Sequence, residues 1–391
     1  MGSEATPSAA TDRLTIVFVS HGGERSGAPI VLTRMFEQAL KEGEEAFLVF
    51  RYNEEWAEAC QKKYGSKRVY ILPGKPPRLL PNGVKPLRKL FDLLRLWSLF
   101  KRIKPQVVVA NTLLNTTAVM AGLLVGSRVA VWAHESPGAI SDPWGMRSFW
   151  IKRAHLGLGV SQGICSYLQE MGMDPSKIRL LHHGVDVEKE RSKSALRPRI
   201  GGSHPKRLVL GALAVWSPRK RLDLVLETAY ALARSGYFED IRLDIGGPPD
   251  ALHPRLFQET LDRFPKRLEP LTLRFMGTIV DRDSFYRELD ALLMTSDKEA
   301  LPTVVLEALV REIPVFSFKD LAGVQEIMGE AALQAEERKG AALADAILRF
   351  FLAPTFPRDW EEWVKKARAR ISLFSLDRQW HTLKGYLREG A

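Results

Sequence analysis

Cysteine is nearly absent: the 391-residue chain carries two, Cys60 and Cys165. Two thiols that far apart build neither a disulfide framework nor a zinc cluster. Long apolar runs are missing too. No stretch approaches the roughly 18–20 apolar residues that span a bilayer, and the opening "MGSEATPSAATDR" has no apolar signal core. Short-period repeats and low-complexity segments are also lacking. These absences point to a cytoplasmic protein of a reducing compartment. Acid is scarce in one window only. From Cys60 to Gln106, thirteen Lys or Arg stand against a single acid, Asp92, a balance of +12, while the whole chain carries +11. The positive excess therefore belongs to one local surface. No zinc finger, RNA-recognition signature or helix-turn-helix pattern accompanies it, so no nucleic acid is expected as a partner.

What is present is ordinary globular material, 45% apolar and 26% charged. The polar tail spans 1–12. "LTIVFVS" (14–20) then reads as a buried strand, "HGGERSGAP" as a glycine-rich loop, and "IVLTRMFEQALKEG" as an amphipathic helix closed by Gly43. "AFLVF" (46–50) is the next strand. The alternation continues with a helix near 87–103, strands at 106–111 and 128–134 around a helix near 115–125, and short strands at 155–161 and 178–184. Residues 187–206 are charged and aperiodic, with Pro, Gly and Ser, and read as a linker. A second alternation follows: strands at 207–214, 241–247, 271–277, 291–296 and 313–318, with helices at 222–236, near 253–263, at 283–289 and from Thr303. Two successive α/β domains with parallel sheets are expected, 13–186 and 207–365, with a cleft between them.

The second domain concentrates the chemistry. In "KEALPTVVLEA" (298–308), Glu299 and Glu307 flank Pro302 and Thr303. Ser296 and Glu299 fit a capping box, but a helix starting there would hold Pro302 inside it at a cost of about 3 kcal/mol. The better reading starts the helix near Pro302–Thr303, with Glu299 in the loop before it and Glu307 early in the helix. "WSPRKRLDLVLE" places Arg219, Lys220 and Arg221 in the loop after the domain's first strand, where a basic loop suits a diphosphate. "DRD" (281–283) matches a D-x-D metal pattern, but its position before "SFYREL" suits an aspartate cap.

In order, the strand, basic loop and helix, then "DIGG", "FMG", E-x7-E and "PVF", resemble the family-4 glycosyltransferases, retaining GT-B enzymes that use nucleotide-sugar donors without a metal. "VSQGICSYLQEMGMDPSKIRLLHHGVD" resembles the end of that family's N-terminal domain, and "SGAP" (26–29) its glycine loop. "FSLDRQWHTLKGYL" resembles its final helix, so 366–391 is expected to cross back to the N-terminal domain. The resemblance implies two Rossmann-like domains and a UDP- or GDP-linked sugar donor, with no cofactor. It implies that Glu307 accepts from the ribose hydroxyls and that Glu299 binds the transferred sugar. It places Lys220 and Arg219 on the departing diphosphate, with Gly27 and Gly246 also on the donor. Backbone around Leu301, Pro302 and Thr303 meets phosphate and sugar, and His134 lies near the reacting centre. No protein nucleophile is assigned.

Departures from the pattern stand beside it. Ala214-Val215-Trp216 replace a common Gly-Arg-Leu, Glu312 stands where a glycine is common, and His183-Gly184 replace Asn-Gly. His182 and His183 read as structural. The basic, apolar-spaced stretch 75–105 suits an anionic membrane surface on its first half, with the second half a layer helix. The expected acceptor is a lipid-linked molecule or glycan, with the enzyme peripheral on the inner membrane face. Two readings compete: a GT-B epimerase or phosphorylase, and a non-catalytic homologue acting as a partner subunit. Glu299, Glu307, Lys220 and His134 together favour transfer.

Overall fold

The computed structural model describes residues 13–23, 27–73, 85–135, 145–193, 206–265 and 268–389. The chain divides into two compact units, one of Met1–Gly184 with Leu376–Ala391 and one of Val185–Ser375.

In the first unit, strands β1 (Thr15–Ser20), β2 (Glu45–Phe50), β3 (Val69–Ile71), β4 (Val107–Asn111), β5 (Arg128–Ala133), β6 (Leu156–Gly159) and β7 (Ile178–Leu180) form one sheet. Its order is β3-β2-β1-β4-β5-β6-β7, with every pair parallel. Helices cover both faces, so central strands such as Val107–Asn111 are buried throughout and read as unbroken apolar runs. The helices are α1 (Gly27–Lys41), α2 (Glu55–Tyr64), α3 (Lys85–Ile103), α4 (Thr116–Leu124), α5 (Met146–Ile151) and α6 (Gln162–Glu170).

The second unit opens with α7 (Val187–Lys193) and holds β8 (Arg207–Leu213), β9 (Asp240–Gly246), β10 (Leu271–Gly277), β11 (Ala291–Met294), β12 (Val315–Phe318) and β13 (Leu333–Ala335). Their order is β10-β9-β8-β11-β12-β13, again all parallel. Its other helices are α8 (Leu222–Ser235), α9 (Leu256–Leu261), α10 (Arg282–Arg287), α11 (Thr303–Val310), α12 (Ala322–Met328), α13 (Gly340–Phe351) and α14 (Phe356–Ser372). Sheet growth reverses direction between β8 and β11, so the loops leaving these two neighbours emerge side by side. The last helix, α15 (Leu376–Arg388), packs in the first unit. There Gln38 donates to Asp377 at 2.6 Å and Lys384 pairs with Glu44 at 2.6 Å.

Several expectations need correction. The linker does not begin at 187, because α7 is helical and its Glu190 pairs with the buried Arg311. Residues 194–205 of that stretch lie outside the described residues. The second unit extends past 365, since α14 runs unbroken to Ser372. Trp363 of α14 donates to the Ala331 carbonyl at 3.0 Å, and Arg370 to those of Glu326 and Ile327 at 2.6 and 3.1 Å. Helices α2, α5 and α6 and the short strand β3 went unread in the sequence, and β7 ends at Leu180 rather than at 184. Glu312 keeps the backbone that a glycine would have, at φ 58°. Such a conformation costs a side-chain-bearing residue roughly 1 kcal/mol, and a 2.6 Å ion pair with Arg368 accompanies it.

The scarce acid of the basic window has a structural use. Asp92, on the inner side of α3, pairs with Arg51 at 2.7 Å with side chains only 5% and 8% exposed. Asp92→Ala leaves a guanidinium buried without that carboxylate and is expected to destabilise the chain by about 3–5 kcal/mol. Denaturant titration of the variant measures the loss, and a change under about 1 kcal/mol contradicts it.

Candidate functional site

Two loops build the centre of the second unit's site. After β8, Pro218–Lys220 form a 3₁₀ turn and Arg221 takes a left-handed conformation (φ 52°) at the start of α8. After β11, residues Thr295–Leu301 run as a loop, and α11 starts at Thr303 with Pro302 capping it in extended geometry. The helix start agrees with the reading that set aside a capping box, because Pro302 has no N–H to give a helix interior.

Several bonds stitch the two loops together. Asp297 N–H donates to the Arg219 carbonyl at 2.8 Å, and the Thr295 hydroxyl donates to the carbonyls of Lys220 and Arg221 at 3.0 and 3.2 Å. Arg221 pairs with Asp223 at 2.9 Å and Asp297 at 3.2 Å. Arg338 donates to the carbonyls of Ser296 and Asp297 at 3.1 and 3.2 Å. From beneath, α12 approaches closely: a Cβ on Gly323 would lie 2.4 Å from the carbonyl oxygens of Glu299 and Ala300, so a larger residue would displace the loop.

This frame brings Lys220 Nζ onto Glu299 Oε1, and Arg219 Nη1 lies 3.3 Å from the same oxygen. Burial pushes Glu299 up, but Lys220 and then Arg219 outweigh it, and the carboxyl sits below its usual range. Burial draws the Lys220 ammonium down, with Glu299 opposing and Arg219 adding to the shift. One turn into α11, Glu307 is 6% exposed at its side chain and holds Arg282 through both oxygens, at 2.8 and 2.6 Å. The Tyr286 hydroxyl donates to it at 3.0 Å. Glu299, Glu307, Lys220, Arg219, Leu301, Pro302 and Thr303 thus gather around one helix start.

The other expected residues lie on other elements. Gly246 ends β9, where its carbonyl accepts from Trp216 Nε1 at 3.0 Å and a Cβ would lie 2.8 Å from Ile279. Gly27 opens α1 in the first unit, and the preceding 24–26 lie outside the described residues. In the D-x-D run, Asp281 caps α10 by accepting from Ser284 N–H at 3.1 Å, while Asp283 pairs with Arg311. Arg282, Tyr286, Arg311 and Arg338 were missed. Each makes side-chain contacts with residues far away in sequence, and only the "DRD" run drew notice to one of them.

His134, just past β5 in the first unit, meets His183: Nδ1 and Nε2 are 2.9 Å apart and the rings stack at 25°. Trp132 packs against both imidazoles and donates to the Leu181 carbonyl at 3.1 Å. His183 thus serves a specific contact of His134, where the sequence showed only a structural position. Burial first, then His183 and His21, hold the His134 pKa well below its ordinary 6.5.

Residues 25–189 match the glycosyltransferase family 4 profile, and residues 204–352 match that of glycosyl transferases group 1. The chain belongs to these glycosyltransferases. Solved structures agree on a GT-B fold for the transferase. Anabaena HepE in complex with UDP and glucose superposes with a TM-score of 0.73 at 16% identity, covering 96% of this chain and 99% of that one. A Rickettsia africae glycosyltransferase gives 0.74 at 14% identity, covering 97% and 98%. Sucrose-phosphate synthase from Thermosynechococcus elongatus gives 0.70 at 16%, covering 96% and 99%. No curated protein matches the transferase significantly by sequence.

The imidazole pair yields a pH prediction. The folded-state pKa of His134 lies below 6.5, so between the two values the unfolded chain binds more protons. The stability that neutral His134 contributes is therefore full above pH 6.5 and is lost as the pH falls below it. The slope is at most about 1.4 kcal/mol per pH unit. His134→Gln is expected to flatten the acid side of the stability curve, and an unchanged slope in denaturant midpoints rejects a neutral buried imidazole.

Proposed function

We propose that this glycosyltransferase moves a sugar from a nucleotide-diphosphate donor to an acceptor hydroxyl with retention of anomeric configuration and without a metal. The observation that carries the reading is the pairing of Lys220 and Arg219 with Glu299 at the start of α11. A donor has two kinds of polar groups: phosphate oxygens that only accept, and sugar hydroxyls that also donate. Cations and helix-start N–H groups suit the first, and a carboxylate suits the second. Lys220 is free to trade Glu299 for a phosphate, which releases Glu299 to accept from the sugar. Glu307 accepts from the ribose.

In the transfer step the bond from the anomeric carbon to the phosphate oxygen breaks, and a bond to the acceptor oxygen forms on the same face. The acceptor proton passes to the leaving phosphate, whose charge Lys220 and Arg219 neutralise. The same assignment keeps Gly27 and Gly246 on the donor and His134 among the substrate-contacting groups. The complexes of HepE with UDP and with UDP-glucose support UDP-glucose as the first donor to try, with GDP-linked sugars beside it.

The acceptor we infer is a lipid-linked molecule or glycan at an anionic membrane surface, with the enzyme peripheral on the cytoplasmic side. Supporting this, α3 exposes Leu90, Phe91 and Leu94 at 51%, 58% and 49% beside Lys89 and Arg95, while its other side carries the buried Leu96 and Phe100. Residues 74–84 of the basic stretch lie outside the described residues. No described helix is long and apolar enough to cross a membrane.

Donor turnover with chelator present tests the chemistry. Lys220→Ala and Glu299→Ala are each expected to lower it by roughly 10²–10³-fold, with the sugar product keeping its anomeric configuration. Activity that requires manganese, an inverted product, or full turnover in both variants overturns the reading. Co-sedimentation with anionic vesicles at low salt tests the surface. Leu90→Asp with Phe91→Asp is expected to abolish binding, and no binding by the unaltered protein removes the lipid surface.

A further inference from the structure

The "DRD" run spends its three side chains in three directions. Asp281 caps α10, Asp283 meets Arg311, and Arg282 reaches back to Glu307. The Arg282 contact is bidentate through Nη1, at 2.8 Å to Oε1 and 2.6 Å to Oε2. Glu307 is nearly buried at 6% exposure, whereas Arg282 is 30% exposed. Burying a charged group is costly unless it is paired and hydrogen-bonded, and Arg282 supplies that pairing for Glu307. A carboxylate held in this way keeps lone pairs with which to accept from a hydroxyl.

The surroundings hold this pair in place. Tyr286 donates to Oε2 at 3.0 Å, and its phenol stays protonated because burial, then the Glu307 charge, raise its pKa. Arg311 lies over the Tyr286 ring, 5.0 Å from its centroid, and donates to the Glu307 carbonyl at 2.9 Å. Its ion pairs with Asp283 of α10 and Glu190 of α7 fix α10 against α11. The carboxylate plane is thus set by a neighbouring helix rather than by Glu307's own torsions.

We propose that Arg282 is a positioning residue of the nucleotide site: it holds the Glu307 carboxylate in one plane, and so makes the site select a nucleoside diphosphate with intact ribose hydroxyls over its deoxyribose counterpart. The proposal rests on Glu307 accepting from the ribose, as inferred above. Arg282 itself need not touch the ligand.

Calorimetric titration of the full chain with UDP, GDP and their 2′-deoxy and 3′-deoxy forms tests it, using the unaltered protein, Arg282→Ala, Arg282→Lys and Tyr286→Phe. The unaltered protein should bind one ribonucleotide roughly tenfold to a hundredfold more tightly than at least one deoxy form, the worth of a hydrogen bond to a charged group. In Arg282→Ala, ribose and deoxyribose ligands should bind nearly equally. Arg282→Lys keeps the charge without the planar guanidinium and should give intermediate discrimination, as should Tyr286→Phe. If Arg282→Ala does not fold, as judged by its melting curve, Arg282→Lys decides. Full discrimination in Arg282→Lys overturns the fixed plane, and full discrimination in a folded Arg282→Ala overturns the whole proposal. Absence of ribose discrimination in the unaltered protein also overturns it, together with the ribose role of Glu307, while leaving the sugar-transfer reading intact. No binding of either ribonucleotide overturns both.

Discussion

The ion pair between Lys220 and Glu299 joins the loop after β8 to the loop after β11, at the point where the second unit's candidate site is built. Its side chains are 17% and 10% exposed, so water screens the pair only in part. At an effective dielectric of about 20, opposite charges about 4 Å apart attract by roughly 4 kcal/mol, against a desolvation cost of several kcal/mol per ion. Such a near balance makes a poor permanent staple and a good exchangeable contact. A phosphate offered to Lys220 competes on nearly equal terms with Glu299. The rigid parts are elsewhere, in Thr295, Arg221 and Arg338, which hold the two loop backbones together whether or not the pair is made.

A second set of charges, around Glu307, has the opposite character. Arg311 is 4% exposed and reaches two carboxylates and a backbone carbonyl from three separate segments. Buried and multiply satisfied, that network is costly to open. The site therefore pairs a loose carboxylate, Glu299, with a fixed one, Glu307, on the same stretch of chain. This division suits a ligand whose nucleotide is held while its sugar reacts.

Much was legible in the sequence. The buried parallel strands announced themselves as unbroken apolar runs, and Pro302 marked the start of α11. Asp281 was read correctly as a helix cap. The failures have a common cause. Helices α2 and α7 are short and rich in charge, so their apolar periodicity is weak. Part of what holds α7 is the Glu190 pair with Arg311, 121 residues away. The end of the second unit was misplaced for a similar reason, because α14 is anchored by Trp363 and Arg370 to backbone carbonyls that no local pattern reveals.

By itself, the sequence determined the residue types of the candidate site, their order, and the two α/β units that carry them. Those are local matters: apolar period, a proline, a basic loop before a helix. Only the tertiary structure decided which charges meet. Strand order places the loops after β8 and β11 side by side although 79 residues separate Lys220 from Glu299. It also turns Arg282 onto Glu307 and His183 onto His134, contacts spanning 25 and 49 residues. Pairing across such distances follows from sheet topology and packing, and a linear pattern of residues carries no record of it.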